Sequence, residues 1–269
     1  MIGVSGSPLI LGASGKLGQA LRYVWPKDVP IPLWQTRDGV EGTWGWDILN
    51  EPAPALPTEL LPLSGIVVLS GVTQGDTAEL ALNTDLVLAG ANLGAVLGVP
   101  VLAASSQAVY GPQQGMLREN SRLMPSNDYG RAKQTMEAAV AAPHVTCLRL
   151  GNVVGCDALA ASISLGKVVL DRFADGRGPR RAMLSPLDLY WVIQELLAVP
   201  VRPQVVNVAR PGLVEMADIL KAAGVAFEWR DAPSGAMQEL ALDVSLLQGI
   251  CPLPYADAGD LAMQGNLMV

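Results

Sequence analysis

Apolar positions follow two rhythms along this chain. Continuous apolar runs (Pro8–Leu11, Ile66–Leu69, Val99–Ala104, Val145–Leu150 and Val205–Val208) predict strands buried on both faces of a sheet. Val29–Trp34 predicts another, its prolines suiting the start of a strand, and Thr43–Ile48 a short one. Between them, apolar residues recur every three or four positions. This predicts a helix around Leu17, Ala20, Leu21 and Val24, then helices over Thr77–Leu97, Ser126–Val140, Ser162–Phe173, Leu187–Leu197 and Glu215–Ala223. Strands alternating with helices in this order predict an α/β, doubly wound parallel sheet. Residues 1–150 carry the regular alternation. Residues 151–269 predict a smaller substrate-binding lobe, partly interleaved, with the strand near 205–208 returning to the sheet.

Composition narrows what such a fold does. Half of the 269 residues are hydrophobic and 16% are charged, enough apolar surface for a full core. A net charge of −7 argues against nucleic acid or an anionic membrane as partner and points to a small-molecule substrate. The uncharged stretch Leu86–Leu117 is cut by Asn92, Gly94, Gly98 and Pro100, so it reads as a helix and a strand and not as a membrane span. No basic-then-apolar leader precedes Gly12, so a cytoplasmic location is expected. Cys147, Cys156 and Cys251 have no metal or disulfide spacing, and His144, the one histidine, reads as structural; no metal site is expected.

The first apolar run leads into Gly12-Ala13-Ser14-Gly15-Lys16-Leu17-Gly18 and then into a helix. Glycines between a strand and a helix N-terminus let main-chain N–H groups approach a phosphate, which the helix dipole also favours. The turn therefore predicts a pyrophosphate site, although the same residues also suit a tight turn that binds nothing. The end of the second strand chooses between dinucleotides, an acid accepting the ribose 2′-hydroxyl and an Arg accommodating a 2′-phosphate. Gln35 stands there, with Arg37 two residues on and Lys16 in the glycine turn, so NADP is preferred over NAD. Asp38 remains able to play the acid.

Two further stretches carry chemistry. Ser105-Ser106-Gln107-Ala108-Val109-Tyr110 follows a buried strand, and Tyr129-Gly130-Arg131-Ala132-Lys133 opens a helix. Tyr and Lys four apart share a helix face, so ammonium and phenol reach one pocket. A free tyrosine titrates near pH 10, and a cation about 4 Å away supplies on the order of 4 kcal/mol at an effective dielectric of 20, enough to make the phenol a base near neutrality. Ser106 then holds a substrate oxygen while Tyr129 takes or returns its proton. The alternative is an ordinary helix with a solvated lysine, and the order of the three signals along the chain decides against it.

From about Pro8 to about Ala223 these motifs resemble the extended short-chain dehydrogenase/reductases, the NAD-dependent epimerase/dehydratase group with a Rossmann-type fold. Gly12, Gly15 and Gly18 look like the family's cofactor turn, with Leu11 where a Thr is usual. The resemblance implies that Ser106, Tyr129 and Lys133 form the catalytic triad, supported by Asn83, and that Asp47-Ile48 contacts the adenine. Ser70-Gly71-Val72 stands where two alanines usually flank the cofactor. The resemblance also places Asn152 on the substrate and Arg181 on a substrate phosphate, and implies a homodimer through the helices at Thr77–Leu97 and Ser126–Val140. Dehydratases of the family carry Asp-Glu after the catalytic hydroxyl. Here the pair is Gln107-Ala108, which disfavours dehydration and leaves epimerisation or keto reduction on a sugar nucleotide or a smaller carbonyl substrate. The short C-terminal part favours the compact substrate, or a reductase similar to the one completing dTDP-rhamnose. Some relatives bind NADP as sensors or scaffolds without turnover, but these typically lose the Tyr or the Lys, and both are present.

Overall fold

The computed structural model describes residues 6–58 and 61–267. Seven strands form its main sheet: β1 (Pro8–Leu11), β2 (Leu33–Thr36), β3 (Trp44–Gly45), β4 (Gly65–Val68), β5 (Val101–Ser106), β6 (Val145–Leu150) and β7 (Val205–Val208). Their order across the sheet is β7-β6-β5-β4-β1-β2-β3, and every neighbouring pair is parallel. The order reverses between β1 and β4, the switch point where a doubly wound sheet opens a crevice at the C-terminal ends of its strands.

Both faces of the sheet are covered, which is why the strands read as unbroken apolar runs. Leu9, Leu11, Ile66, Val68, Val101 and Ala103 pack under α2 (Thr77–Leu97) and α3 (Asp128–Ala139). Ile10, Val67, Leu102, Leu148 and Val206 pack on the other face, under α1 (Lys16–Val24) and α5 (Pro186–Ala198). By length and composition α2 could cross a membrane, yet it is laid along the sheet, with Leu80, Val87, Ala91 and Gly94 buried. Asp76 caps it, accepting from the Glu79 N–H while the Glu79 side chain accepts from the Asp76 N–H.

Several boundaries differ from the expected ones. β2 begins at Leu33, beyond Pro30 and Pro32, so Gln35 and Thr36 belong to the strand and not to the loop after it. The strand expected over Thr43–Ile48 is hydrogen-bonded only at Trp44–Gly45. Asn127 caps α3, its Oδ1 accepting from the Gly130 N–H, so the helix begins at Asp128 and not at Ser126. The helix expected over Ser162–Phe173 is instead α4 (Ala158–Ser164) followed by a strand, Val169–Arg172, paired with Glu228–Asp231.

The lobe is built from α4, α6 (Met216–Ala222), a short α7 (Ser245–Gln248), α8 (Ala258–Gln264) and a four-stranded sheet ordered Val214–Glu215, Arg180–Arg181, Glu239–Leu242, Met116–Leu117. It interleaves with the sheet, to which the strand near 205–208 returns as the sequence led us to expect. α5 and β7 complete the main sheet layer, and one core cluster joins Leu148, Leu189, Val206 and Leu240. Arg210, 1% exposed, ties the two together by bonding both carboxylate oxygens of Asp188 at the start of α5 and the carboxylate of Asp260 in α8.

Candidate functional site

A cleft of about 920 Å³ runs along the C-terminal ends of β1, β4 and β5, roofed by the start of α4. Gly12, Ser14, Gly15, Lys16 and Leu17 form one end of it. Gly12 has φ +90°, and a Cβ there would lie 2.5 Å from the Ser70 backbone nitrogen, so the crossing of the turn over the end of β4 admits only glycine. Gly18 lies under the turn and not in the cleft: a Cβ on it would strike the Gly12 carbonyl, so it packs the helix against the strand end. Gly15 caps α1 without a side chain, which leaves the first-turn N–H groups of the helix open to an anion. An uncapped helix end beneath a glycine turn, in an elongated cleft, fits a dinucleotide.

Gln35 lines the same end, but its amide is engaged within the protein. Its Oε1 accepts from the Gly12 N–H at 2.8 Å and its Nε2 donates to the Trp46 carbonyl at 2.6 Å. Gln35 thus fixes the glycine turn. Arg37 and Asp38 line the cleft beyond it, as do Asp47 and Ile48 in the turn after β3. The Asn50 side chain donates to Asp47 and, with Arg37 contributing charge, holds its carboxyl below the usual range. Ser70, Gly71 and Val72 form the wall between the two halves. Asn83, fully buried on α2, clamps this loop: its Oδ1 accepts from the Val72 N–H, and its Nδ2 donates to the Val72 and Leu80 carbonyls. Both of its N–H donors are used, which makes Asn83 a positioning residue for the wall.

Ser106, Tyr129 and Lys133 meet at the centre of the cleft. Ser106 ends β5, and its Oγ accepts from the Ala108 N–H at the start of a single 3-10 turn, Gln107–Val109. α3 begins against that turn. A Cβ on Gly130 would lie 2.5 Å from the Ala108 carbonyl, so the glycine after Tyr129 allows the approach that places the phenol beside Ser106. Lys133, 4% exposed, donates from Nζ to the Ala104 carbonyl at 2.9 Å and stands 5.9 Å from the centroid of the Tyr129 ring.

The electrostatics depart from the sequence expectation. Burial pushes the Tyr129 phenol above its ordinary value, opposed by its hydrogen bond with Ser106. Burial also pulls the Lys133 ammonium down to about 8, the negative charge of Glu137 opposing in part. The expected acidification of the phenol is therefore not produced by the lysine alone. Desolvation, which no residue spacing reveals, outweighs it in the free protein.

The far wall is polar. The Gln107 Nε2 donates to the Asn152 Oδ1 at 2.6 Å, and the Asn152 Nδ2 donates to the Asp157 Oδ2 at 3.1 Å. Asp157 also caps α4, its Oδ1 accepting from the Ala160 N–H, and burial raises its carboxyl. Asn152 is thus brought to the site. Arg181 is not. It is absent from the cleft lining, and its guanidinium donates to the carbonyls of Arg180, Met237 and Gln238, bracing the small sheet of the lobe. His144 lies away from the cleft, with Nε2 at 3.0 Å from the Ala91 carbonyl. Gln107 and Asp157 were not among the expected site residues. Asp157 is an Asp followed by the apolar Ala158-Leu159-Ala160, a helix-cap signal hidden by placing that helix too late. Among the described residues no cluster of three His, Cys, Asp or Glu is placed to hold a metal.

Residues 67–174 match the model of the NAD dependent epimerase/dehydratase family. No curated protein matches the sequence. Among solved structures, MoeE5 bound to UDP-glucuronic acid and NAD is 20% identical with a TM-score of 0.74, over 97% of this chain and 98% of its own. The UDP-N-acetylglucosamine 4-epimerase of Bacillus cereus is 16% identical with a TM-score of 0.76, over 98% and 99% of the two chains. TunA, an NAD-dependent NDP-hexosamine 5,6-dehydratase of tunicamycin biosynthesis, is 18% identical with a TM-score of 0.72, over 98% and 96%. Residues 67–174 thus resemble the NAD dependent epimerase/dehydratase family, on a fold that the chain shares over nearly its whole length with structures of sugar-nucleotide enzymes.

Proposed function

We propose that this chain is an NAD(P)-dependent oxidoreductase or epimerase that oxidises a secondary alcohol, or reduces the ketone, of a sugar nucleotide. The observation that carries this reading is the convergence of Ser106, Tyr129 and Lys133 in the cleft that the glycine turn opens. When bound, the nicotinamide accepts or returns the hydride of the reacting carbon. Ser106 holds the substrate oxygen, and Tyr129 takes its proton in oxidation and gives it back in reduction. Lys133 supplies positive charge beneath the phenol. Burial raises the phenol in the free protein, so the Ser106 hydrogen bond and the charge of Lys133 have to work against desolvation for Tyr129 to act as the base.

The chain length no longer argues for a compact substrate, since MoeE5, matched over 98% of its own chain, holds UDP-glucuronic acid and NAD. Dehydration remains disfavoured on the chemistry of the cleft. Gln107-Ala108 offers no carboxylate, and both oxygens of Asp157 are held, by Asn152 and by the Ala160 N–H. For the cofactor, Arg37 in the lining and the neutral Gln35 favour NADP, with NAD the alternative. Only a third of the most apolar window of α2 is buried, which supports a homodimer through the outer faces of α2 and α3, to be read by light scattering.

The test is turnover of UDP-glucose with NAD and with NADP, followed by the absorbance of reduced nicotinamide, in the native protein and in Tyr129→Phe. Loss of the phenolic proton carrier should lower turnover by roughly 10²- to 10⁴-fold with nucleotide affinity unchanged. A Tyr129→Phe protein that turns over normally would refute the reading.

A further inference from the structure

The wall opposite Tyr129 contains one polar atom with no partner. Gln107 is 8% exposed, and its Oε1 is buried without any hydrogen-bond donor among the described residues. A buried acceptor left unpaired is costly, and in a native structure such an atom calls for a cause.

Its orientation is fixed from the far end of a chain of side chains. Asp157 accepts at both carboxylate oxygens, from the Ala160 N–H and from the Asn152 Nδ2. An amide that gives its nitrogen to a carboxylate must turn its oxygen the other way, so the Asn152 Oδ1 is an acceptor, and Gln107 meets it with Nε2. Turning Gln107 over would place two carbonyl oxygens against each other. The relay therefore ends, by necessity, on an unpaired carbonyl oxygen in the residue directly after Ser106. Since Gln107 forms part of the cleft lining and no described residue supplies a donor, a ligand in the cleft is left to supply one.

We infer that the Gln107 Oε1 accepts a hydrogen bond from a substrate hydroxyl on a carbon next to the one whose oxygen Ser106 holds, and so selects polyhydroxylated substrates over deoxy analogues. The inference rests on the proposed function, which supplies the reacting oxygen at Ser106, and it assigns to Gln107 a specificity role separate from hydride transfer. Asn152 and Asp157 act through Gln107 as positioning residues.

Affinity, and not turnover, is the readout, so that the two readings fail separately. The NAD-loaded protein is titrated with UDP-glucose and with its 2-deoxy and 3-deoxy analogues. The same is done with Gln107→Met, which keeps the length of the side chain and removes both polar ends. The native protein should bind one deoxy analogue about tenfold more weakly than UDP-glucose, the scale of one neutral hydrogen bond, and Gln107→Met should bind all three alike. Equal affinities in the native protein, discrimination retained in Gln107→Met, or failure of all three sugars to bind would each overturn the inference. Discrimination without reduction of the nucleotide would sustain it while refuting hydride transfer. Equal binding with normal turnover would do the reverse.

Discussion

Two cations, Lys133 and Arg149, are buried on neighbouring elements, and the fold treats them oppositely. Arg149, on β6, is held by the Glu137 carboxylate through Nε at 3.0 Å and Nη2 at 2.7 Å, and its Nη1 donates to the Tyr110 hydroxyl and the Glu119 carbonyl. These contacts outweigh burial and raise its affinity for the proton. Lys133 lies on α3 four residues before the same Glu137. Among the described residues its only oxygen partner is the Ala104 carbonyl, and its ammonium is depressed to about 8. The one buried carboxylate at hand thus neutralises the deeper cation, whose task is to join α3, β6 and the Tyr110 segment. The cation beside the cleft has no ion pair among the described residues and feels Glu137 only through space. A structural ion pair is satisfied from within, whereas a group meant to act on a ligand is not, and its unpaired charge is what gives it leverage on the phenol above it.

The sharpest way to break this contrast is Glu137→Gln. It strands Arg149 as an unpaired buried charge and also weakens the bond to the Ser105 hydroxyl, so stability should fall by about 3–5 kcal/mol in denaturant unfolding. A loss under about 1 kcal/mol would mean that Arg149 is not dependent on its partner.

Lys133→Met should act with the opposite sign on stability while reducing turnover. Holding the ammonium at about 8, against 10.5 when unfolded, corresponds to roughly 3 kcal/mol of strain on the charged form, reduced in the variant by loss of the bond to Ala104. The free variant should therefore be more stable than the native protein by about 2 kcal/mol near pH 7. The sign of the pH dependence follows. Between about 8 and 10.5 the unfolded chain binds the Lys133 proton and the folded chain does not, so native stability rises through that window and the advantage of the variant disappears above it. A gap between the two proteins that stays constant with pH would contradict this.

The smallest effect is expected at Asn83. Asn83→Ala removes three hydrogen bonds that clamp the Ser70–Val72 wall and Leu80, and should lower nucleotide affinity about tenfold with Tyr129 and Lys133 intact. Unchanged affinity would show that the wall holds itself.

The contrast also marks what a sequence can show. The strand runs, the glycine turn and the Tyr129/Lys133 spacing are local, so the parallel sheet and the meeting of Ser106, Tyr129 and Lys133 were readable from residue order. Gln35, read at the end of the second strand as the residue that chooses the dinucleotide, is instead a buried brace of the Gly12 turn, because the Gly12 N–H and the Trp46 carbonyl take its amide. Arg181 was misplaced for a different reason. Its anionic partner was what the family resemblance implied, but the chain returning at Met237 and Gln238 offers carbonyls that occupy it. Gln107, Asn152 and Asp157 form a relay across 45 and then 5 residues, and only the folded chain shows its unpaired end. Desolvation of Tyr129 and Lys133 was hidden in the same way, since it depends on what packs around them.

The most direct measurement is an NMR titration of the Lys133 side chain in the free protein, with Lys133→Met to assign the signal. An ammonium that titrates near 8, with no other lysine doing so, is the result expected of a buried cation without an ion pair. A Lys133 that titrates with the exposed lysines, above 10, would mean that its charge is already compensated, and would contradict the account of how this cleft prepares Tyr129.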